Sequence, residues 1–137
     1  LTVLAWTPPE PEPLPPPIPV DTVTTLQLDV SFEAVKEGSE VVLRFRVANP
    51  TSEAVTFEFS SGQKYDFGAW DATGRALWWW SADKAFTAAF ESLTLRPGEA
   101  LEFEERWAPV GVSGEIVLEA TLTSLNLPVA RQIGLEI

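Results

Sequence analysis

The sequence of 137 residues contains no cysteine and no histidine. Without cysteine, the chain can form no disulfide, can offer no thiol nucleophile and cannot bind zinc through thiolates. Without histidine, it lacks the most frequent general base and transition-metal ligand, so it cannot contain a Ser–His–Asp or Cys–His triad. These absences remove most known catalytic arrangements. We therefore expect a protein that is not an enzyme, with no catalytic residue, no bound metal and no cofactor.

Paired carboxylates are the main chemistry that the composition leaves open. Glu102, Glu104 and Glu105 lie close together, and such groups can act as a glycosidase-type acid–base pair or bind calcium. Glu102 and Glu104 are two residues apart on a predicted strand, however, so they share the face that is ordinarily exposed to solvent. The sequence also has no EF-hand spacing and no glycine-rich phosphate-binding motif. We expect neither an acid–base pair nor a calcium or nucleotide site.

Basic residues are scarce, with nine lysines and arginines against twenty aspartates and glutamates and a formal net charge of −11. This charge opposes binding to nucleic acids and to anionic membrane surfaces, both of which attract basic patches. No apolar run approaches the roughly 20 residues that a transmembrane helix needs. We therefore expect protein partners, with no nucleic acid and no membrane span.

Methionine is also missing, even at position 1, where the chain has Leu1. No basic segment followed by an apolar one marks a signal peptide in the sequence. We expect a mature product from which a signal peptide has been removed, and hence an extracellular or cell-surface location. Asparagine and glutamine are few and arginine outnumbers lysine, a composition that favours a thermophilic source.

Proline is concentrated near the N-terminus. Eight of the twelve prolines lie in the segment 8–19, which is too rich in proline for a helix or a strand ladder. Such a segment prefers the polyproline II form, in which it would span roughly 37 Å. A short apolar segment, Leu1–Trp6, precedes it. We predict two parts: an arm formed by residues 1–20 and a folded domain formed by residues 21–137.

The arm suggests a first hypothesis for function. An apolar strand on a stiff spacer can add to an exposed sheet edge of a neighbouring subunit, a contact that propagates into a fibre when it does not close. The alternatives are that the arm folds back on its own domain, or that it is a flexible spacer between a membrane or cell-wall anchor and the domain. We favour an exported protein-binding module that assembles into a filament or surface layer. The predicted donor residues are Leu1, Val3, Leu4 and Trp6.

The folded domain shows repeated alternation of apolar and polar residues, with turn residues every eight to twelve positions. In the segment 40–48, for example, Val41, Leu43 and Phe45 alternate with charged or smaller residues. This pattern predicts an immunoglobulin-like antiparallel β-sandwich of eight or nine strands. Helix is expected at most as one or two turns within 83–90. The predicted strands are 24–32, 40–48, 55–59, 64–71, 75–81, a short one around 93–95, 100–107, 115–125 and 129–137.

Several short motifs are more specific than the alternation. They are Ser60–Phe67 (SSGQKYDF), Trp78–Ser81 (WWWS) and Lys84–Thr87 (KAFT), with further matches at 49–51, 95–99 and 103–107. Taken together in their sequence order, over roughly 26–122, these motifs resemble those of the BsuPI family, the bacterial intracellular proteinase inhibitor domain. The resemblance implies an immunoglobulin-like domain. It also implies the alternative function, inhibition of subtilisin-like serine proteases through loops of the sandwich.

One position departs from the family pattern. The family usually has a polar residue between two tryptophans, where this chain has Trp79. By alternation, Trp78 and Trp80 share one face of the strand and Trp79 lies on the other. We consider two interpretations of Trp79: an exposed contact for a partner, or a side chain that packs against an arm or loop of the same molecule.

Overall fold

The computed structural model describes residues 27–137 of the chain. This part contains nine strands and one short 3₁₀ helix, joined by turns and loops. Most strands show the alternation that the sequence predicts, because neighbouring side chains point to opposite faces of a sheet. The elements are β1 Asp29–Glu37, β2 Glu40–Ala48, β3 Val55–Phe59, β4 Tyr65–Asp71, β5 Ala76–Trp79, the 3₁₀ helix Trp80–Asp83, β6 Glu91–Leu95, β7 Ala100–Trp107, β8 Glu115–Leu122 and β9 Val129–Glu136.

The strands form three antiparallel sheets. A four-stranded sheet has the order β9-β8-β4-β5, a three-stranded sheet has the order β1-β2-β7, and β3 pairs with β6. Strand β9 of the first sheet contacts β1 of the second, which closes one side of the sandwich. On the other side, β5 and β7 are edge strands. The prediction of an all-β antiparallel sandwich is confirmed.

Phenylalanines from both sheets form the centre of the core. Phe45 of β2 and Phe67 of β4 are fully buried, and their rings meet edge to face with centroids 6.5 Å apart. Phe57 and Phe59 of β3 are equally buried. Each such side chain contributes roughly 1.5–3 kcal/mol when it leaves water, so these four residues account for much of the stability of the sandwich.

The first strand differs from its prediction. The sequence predicts a strand at 24–32 that is closed by charged residues, whereas β1 runs to Glu37 and its first predicted residues lie outside the described part of the chain. Lys36 and Glu37 continue the ladder by pairing with Val41 and Glu40. Gly38 then adopts a positive φ of 63°, which allows a turn of two residues.

The fifth strand is shorter than predicted. The sequence predicts a strand at 75–81, but β5 ends at Trp79 and the chain turns into the 3₁₀ helix Trp80–Asp83. The helical turn therefore shares only Asp83 with the segment 83–90 in which it was expected. Similarly, β8 ends at Leu122 instead of reaching residue 125.

Candidate functional site

The motif residues of β4 meet those of the 3₁₀ helix on the side of the sandwich that β5 and β7 leave open. The ring of Tyr65 lies between those of Trp80 and Phe103, with centroids 4.5 and 4.2 Å away. Its hydroxyl donates a hydrogen bond to the Glu105 carboxylate, which lies on the same face of β7 as Phe103. Burial and then the Glu105 carboxylate raise the pKa of Tyr65 above its ordinary value. Tyr65 therefore links the two sheets.

Asp66 fixes the 3₁₀ helix to β4. The Ser81 backbone N–H donates to Asp66 Oδ1 at 3.0 Å, and the Ser81 hydroxyl donates to Asp66 Oδ2 at 2.5 Å. The Phe67 N–H also donates to Asp66 Oδ1, at 2.9 Å. Because charge-assisted hydrogen bonds are stronger than neutral ones, these contacts explain why the strand ends where Trp80 turns away.

The segment that follows, residues 84–90, is an irregular loop between the 3₁₀ helix and β6, here called the 84–90 loop. Lys84 is extended, with φ −111° and ψ 156°, and its ammonium lies 5.1 Å from the Trp80 ring centroid. The Phe86 ring packs against Trp80 with centroids 6.0 Å apart. The first half of the loop is thus attached to Tyr65 through Trp80.

The second half of the loop is attached to the connection between β3 and β4. The Gly62 N–H donates to the Thr87 carbonyl at 2.9 Å. Directly after the loop, the Glu91 carboxylate pairs with Lys64 Nζ at 2.6 Å, and Glu91 is the first residue of the β3–β6 ladder. Both ends of the loop are therefore held by the body of the domain.

Between these attachments the loop is open to solvent. Ala88 and Ala89 are exposed, and Phe90 has 82% of its surface exposed. Within residues 27–137, only two backbone groups of the loop make backbone hydrogen bonds. The Lys84 N–H donates to the Ser81 carbonyl, and the Thr87 carbonyl accepts from the Gly62 N–H. No motif of the sequence singles out Phe90, although two small residues before an aromatic one interrupt the alternation of the neighbouring strands.

A second exposed loop lies at the opposite end of the sandwich. It joins β7 to β8 over residues 108–114 and lies beside Asp71 and Arg75 of the β4–β5 turn. Val110 is its most exposed apolar residue, at 90%. Gly111 and Gly114 have positive φ values of 71° and 90°, so this loop bends sharply at both positions.

Trp79 lies on the outer face of the four-stranded sheet, opposite Trp78, as the alternation predicts. Its ring meets Trp70 edge to face, with centroids 5.0 Å apart, and covers Gly68 so closely that a Cβ there would lie 2.7 Å from it. Trp78 instead stacks on Trp107. Trp79 remains 38% exposed. Its role as a partner contact stays a prediction.

The acidic cluster of β7 divides between the two faces of the strand. Glu104 pairs with Arg44 at 2.8 Å and Glu102 pairs with Arg46 at 3.0 Å, all on the outer face. The hydrogen bond from Arg44 is the main reason why the pKa of Glu104 is lowered. Glu105, on the other face, accepts the hydrogen bond from Tyr65.

The predicted donor residues Leu1, Val3, Leu4 and Trp6 lie outside the described residues. The proposed division at residue 20 does so too. Within the described part, no helix is long and apolar enough to cross a membrane.

Comparisons with known proteins give a family and a fold. Residues 26–127 match the BsuPI family, described as intracellular proteinase inhibitor. No curated protein matches the chain. A penta-heme cytochrome c552 from Thermochromatium tepidum aligns with a TM-score of 0.56 and 12% identity, over 84% of this chain and 41% of that one. β-Glucosidase 3B from Thermotoga neapolitana aligns with a TM-score of 0.41 and 16% identity, over 80% and 16%.

These structural likenesses add little beyond the fold. The chain spans less than half the length of either protein. At 12% identity the cytochrome shows a shared β-sandwich alone.

The family match corrects three expectations from the sequence. An exported module that assembles into a filament or surface layer is wrong, because the family is one of proteinase inhibitors. The extracellular or cell-surface location is wrong as well, because the family is described as intracellular. A partner that is a second copy of the chain is not supported, whereas a protease partner is. The match covers almost all of the described sandwich, including Tyr65, Trp80 and the 84–90 loop, and the chain belongs to the BsuPI family of intracellular proteinase inhibitors.

Proposed function

We propose that this protein is a non-enzymatic inhibitor of serine proteases of the subtilisin type, and that its target is a protease inside the cell. The observation that carries the proposal is the family match over residues 26–127. Four of the motifs that resemble the family, 60–67, 78–81, 84–87 and 103–107, meet around Tyr65 and Trp80. Contacts among the first three hold an exposed loop in one position.

The arrangement suits an inhibitor because affinity for a protease depends on a preorganised contact surface. A loop that is already ordered loses little conformational entropy on binding, whereas a mobile loop loses much more. The sandwich supplies the rigid support, and its loops supply the contact.

A titration tests the proposal. Increasing amounts of the protein are added to a subtilisin-type protease of known active-site concentration, and residual activity is measured on a small peptide substrate. We expect activity to fall linearly and to reach its minimum near one inhibitor per enzyme when both concentrations are far above the dissociation constant. A metalloprotease, assayed in parallel, should be unaffected because it has no serine nucleophile.

Gel analysis of the same samples separates inhibition from simple competition. An inhibitor remains intact while activity stays low, whereas a competing substrate is digested and activity then recovers. Unchanged activity at a large excess of the protein, or recovery in step with digestion, would contradict the proposed function.

A further inference from the structure

The 84–90 loop has the features of a segment that enters a protease cleft, and this inference rests on the proposed function. Proteases bind the backbone of a substrate as an added strand, and they read the side chains through pockets. A segment that fits must be exposed, must have free backbone groups and must present a side chain for a pocket. The 84–90 loop meets all three requirements, because its backbone bonds to the described body only at Lys84 and Thr87 and Phe90 projects into solvent.

We propose that the 84–90 loop is the protease-binding segment and that Phe90 occupies the primary specificity pocket of the target. The pocket is therefore apolar and large enough for an aromatic ring. Ala88 and Ala89, which precede Phe90, have small side chains, so the walls of a cleft can approach the backbone closely on that side. Glu91, which follows, is fixed by Lys64 and by the β3–β6 ladder.

The attachments of the loop explain how an exposed apolar residue can bind tightly. Phe86 packs on Trp80, the Thr87 carbonyl accepts the Gly62 N–H, and Asp66 holds Ser81. The segment before Phe90 is therefore fixed by one contact with the 3₁₀ helix, by one with the β3–β4 connection, and by the bond that holds the 3₁₀ helix to β4. Because this order exists before binding, little entropy is lost in the complex.

The loop at residues 108–114 is a less suitable segment, although Val110 is exposed. Gly111, directly after Val110, has a φ of 71°, which is incompatible with the extended backbone that a protease cleft binds on both sides of its pocket. Val110 is also smaller than Phe90. The two loops lie at opposite ends of the sandwich, so substitutions in one do not disturb the other.

The experiment compares Phe90→Ala with Val110→Ala, a matched control that removes an equally exposed apolar side chain. Inhibition constants are measured against a subtilisin-type protease that cleaves after large aromatic residues. We expect Phe90→Ala to raise the inhibition constant at least about 30-fold, as truncation of a side chain that fills a pocket does. Val110→Ala should leave it unchanged, and Phe90→Leu should retain part of the inhibition because leucine is also large and apolar.

The wild-type protein should also compete with a peptide substrate that has phenylalanine at the cleaved position. Wild-type strength of inhibition by Phe90→Ala, a loss in Val110→Ala alone, or non-competitive kinetics would each overturn the assignment of the loop while leaving the inhibitor function intact. If the wild-type protein itself does not inhibit, the proposed function fails and the assignment fails with it. Urea unfolding of all variants checks that they are equally folded, which we expect because both positions are largely exposed.

Discussion

Tyr65 is the residue on which the candidate site depends most directly. It contacts the 3₁₀ helix through Trp80 and the opposite sheet through Phe103 and Glu105. Aromatic contacts of this kind contribute about 0.5–1.5 kcal/mol beyond the area they bury. A change at Tyr65 therefore affects both the joining of the sheets and the support of the 84–90 loop.

The ionisation of Tyr65 gives a direct test of its environment, because it is the only tyrosine of the chain. Burial and the Glu105 carboxylate both disfavour the phenolate, which raises its pKa in the folded protein. The stability that this provides is fully present below the ordinary tyrosine pKa of 10.0 and is lost as the pH rises above it. We expect phenolate absorbance to appear at a higher pH in the folded protein than in the protein unfolded by guanidinium.

Replacing Glu105 by glutamine separates the effect of burial on the pKa of Tyr65 from the effect of the Glu105 carboxylate. Glu105→Gln should lower the pH at which Tyr65 ionises, but only part of the way to the unfolded value, because burial, the largest single cause, remains. Identical titration curves for folded and unfolded protein would contradict the packing of Tyr65 described here.

At the scale of elements, agreement between sequence and structure follows the strength of the alternation. Strands β2 and β7 begin and end where the sequence predicts, because apolar and charged residues alternate over Leu43–Val47 and Leu101–Glu104 and a proline follows within two residues of each strand end. The end of β5 could not be predicted, because the two Asp66 hydrogen bonds to Ser81 come from a distant part of the sequence. Propensity alone favours a continuous strand through the three tryptophans.

The candidate site was predictable in its parts and not in its assembly. Alternation correctly placed Glu105 on the face of β7 opposite Glu104, and Trp79 opposite Trp78. The contact between Glu105 and Tyr65 joins two strands that are 40 residues apart, and no local pattern indicates such a pair. The exposure of Phe90 likewise depends on how the loop is attached.

Asn49 connects the β2–β3 turn to the β6–β7 turn. It is fully buried, and its side-chain amide donates to the Glu53 carbonyl at 2.7 Å and to the Leu95 carbonyl at 3.0 Å, while its oxygen accepts from Thr51. Asn49→Ala removes the side-chain donor to the buried Leu95 carbonyl and the bonds that hold the β2–β3 turn, and we expect a loss of about 1.5–3 kcal/mol in the free energy of unfolding. Urea unfolding at neutral pH measures it.

Asn126 offers a matched control for this prediction. It also connects turns through hydrogen bonds, donating to the Thr56 carbonyl and accepting from the Glu58 N–H, but it is exposed. Water can replace these bonds, so Asn126→Ala should cost less than about 1.5 kcal/mol. Equal losses for the two variants would show that burial of Asn49 is not what makes its hydrogen bonds important.

For the whole molecule, the sequence predicted the fold better than the function. The alternation extends over most of the chain, whereas the filament hypothesis depended on Leu1–Trp6 and the proline-rich segment alone. An apolar hexapeptide on a proline spacer is compatible with several roles. The motifs around Tyr65 and Trp80 are more specific, because Tyr65, Asp66, Trp80 and Ser81 each make a particular contact in the fold, and the family that they resemble is the one that matches.

The net charge of −11 predicts how the stability of the molecule responds to salt. Twenty acidic side chains face nine basic ones, so repulsion among carboxylates exceeds what the ion pairs offset. The Arg44–Glu104 and Arg46–Glu102 pairs are exposed, and exposed pairs contribute little to stability. Raising NaCl from about 0.01 M to about 0.2 M shortens the screening length from about 30 Å to below 10 Å. We expect the urea midpoint at pH 7 to rise, because screening removes more repulsion than attraction.

A variant that breaks one ion pair distinguishes the effect of repulsion among carboxylates from the effect of ion pairing on stability. Glu104→Gln removes the partner of Arg44 and also one negative charge, so its urea midpoint should change little at either salt concentration. If the ion pairs dominated instead, salt would lower the midpoint of the wild-type protein and Glu104→Gln would lower it most in dilute buffer. A fall of the midpoint with salt would therefore contradict the view that self-repulsion, rather than pairing, governs the electrostatics of this domain.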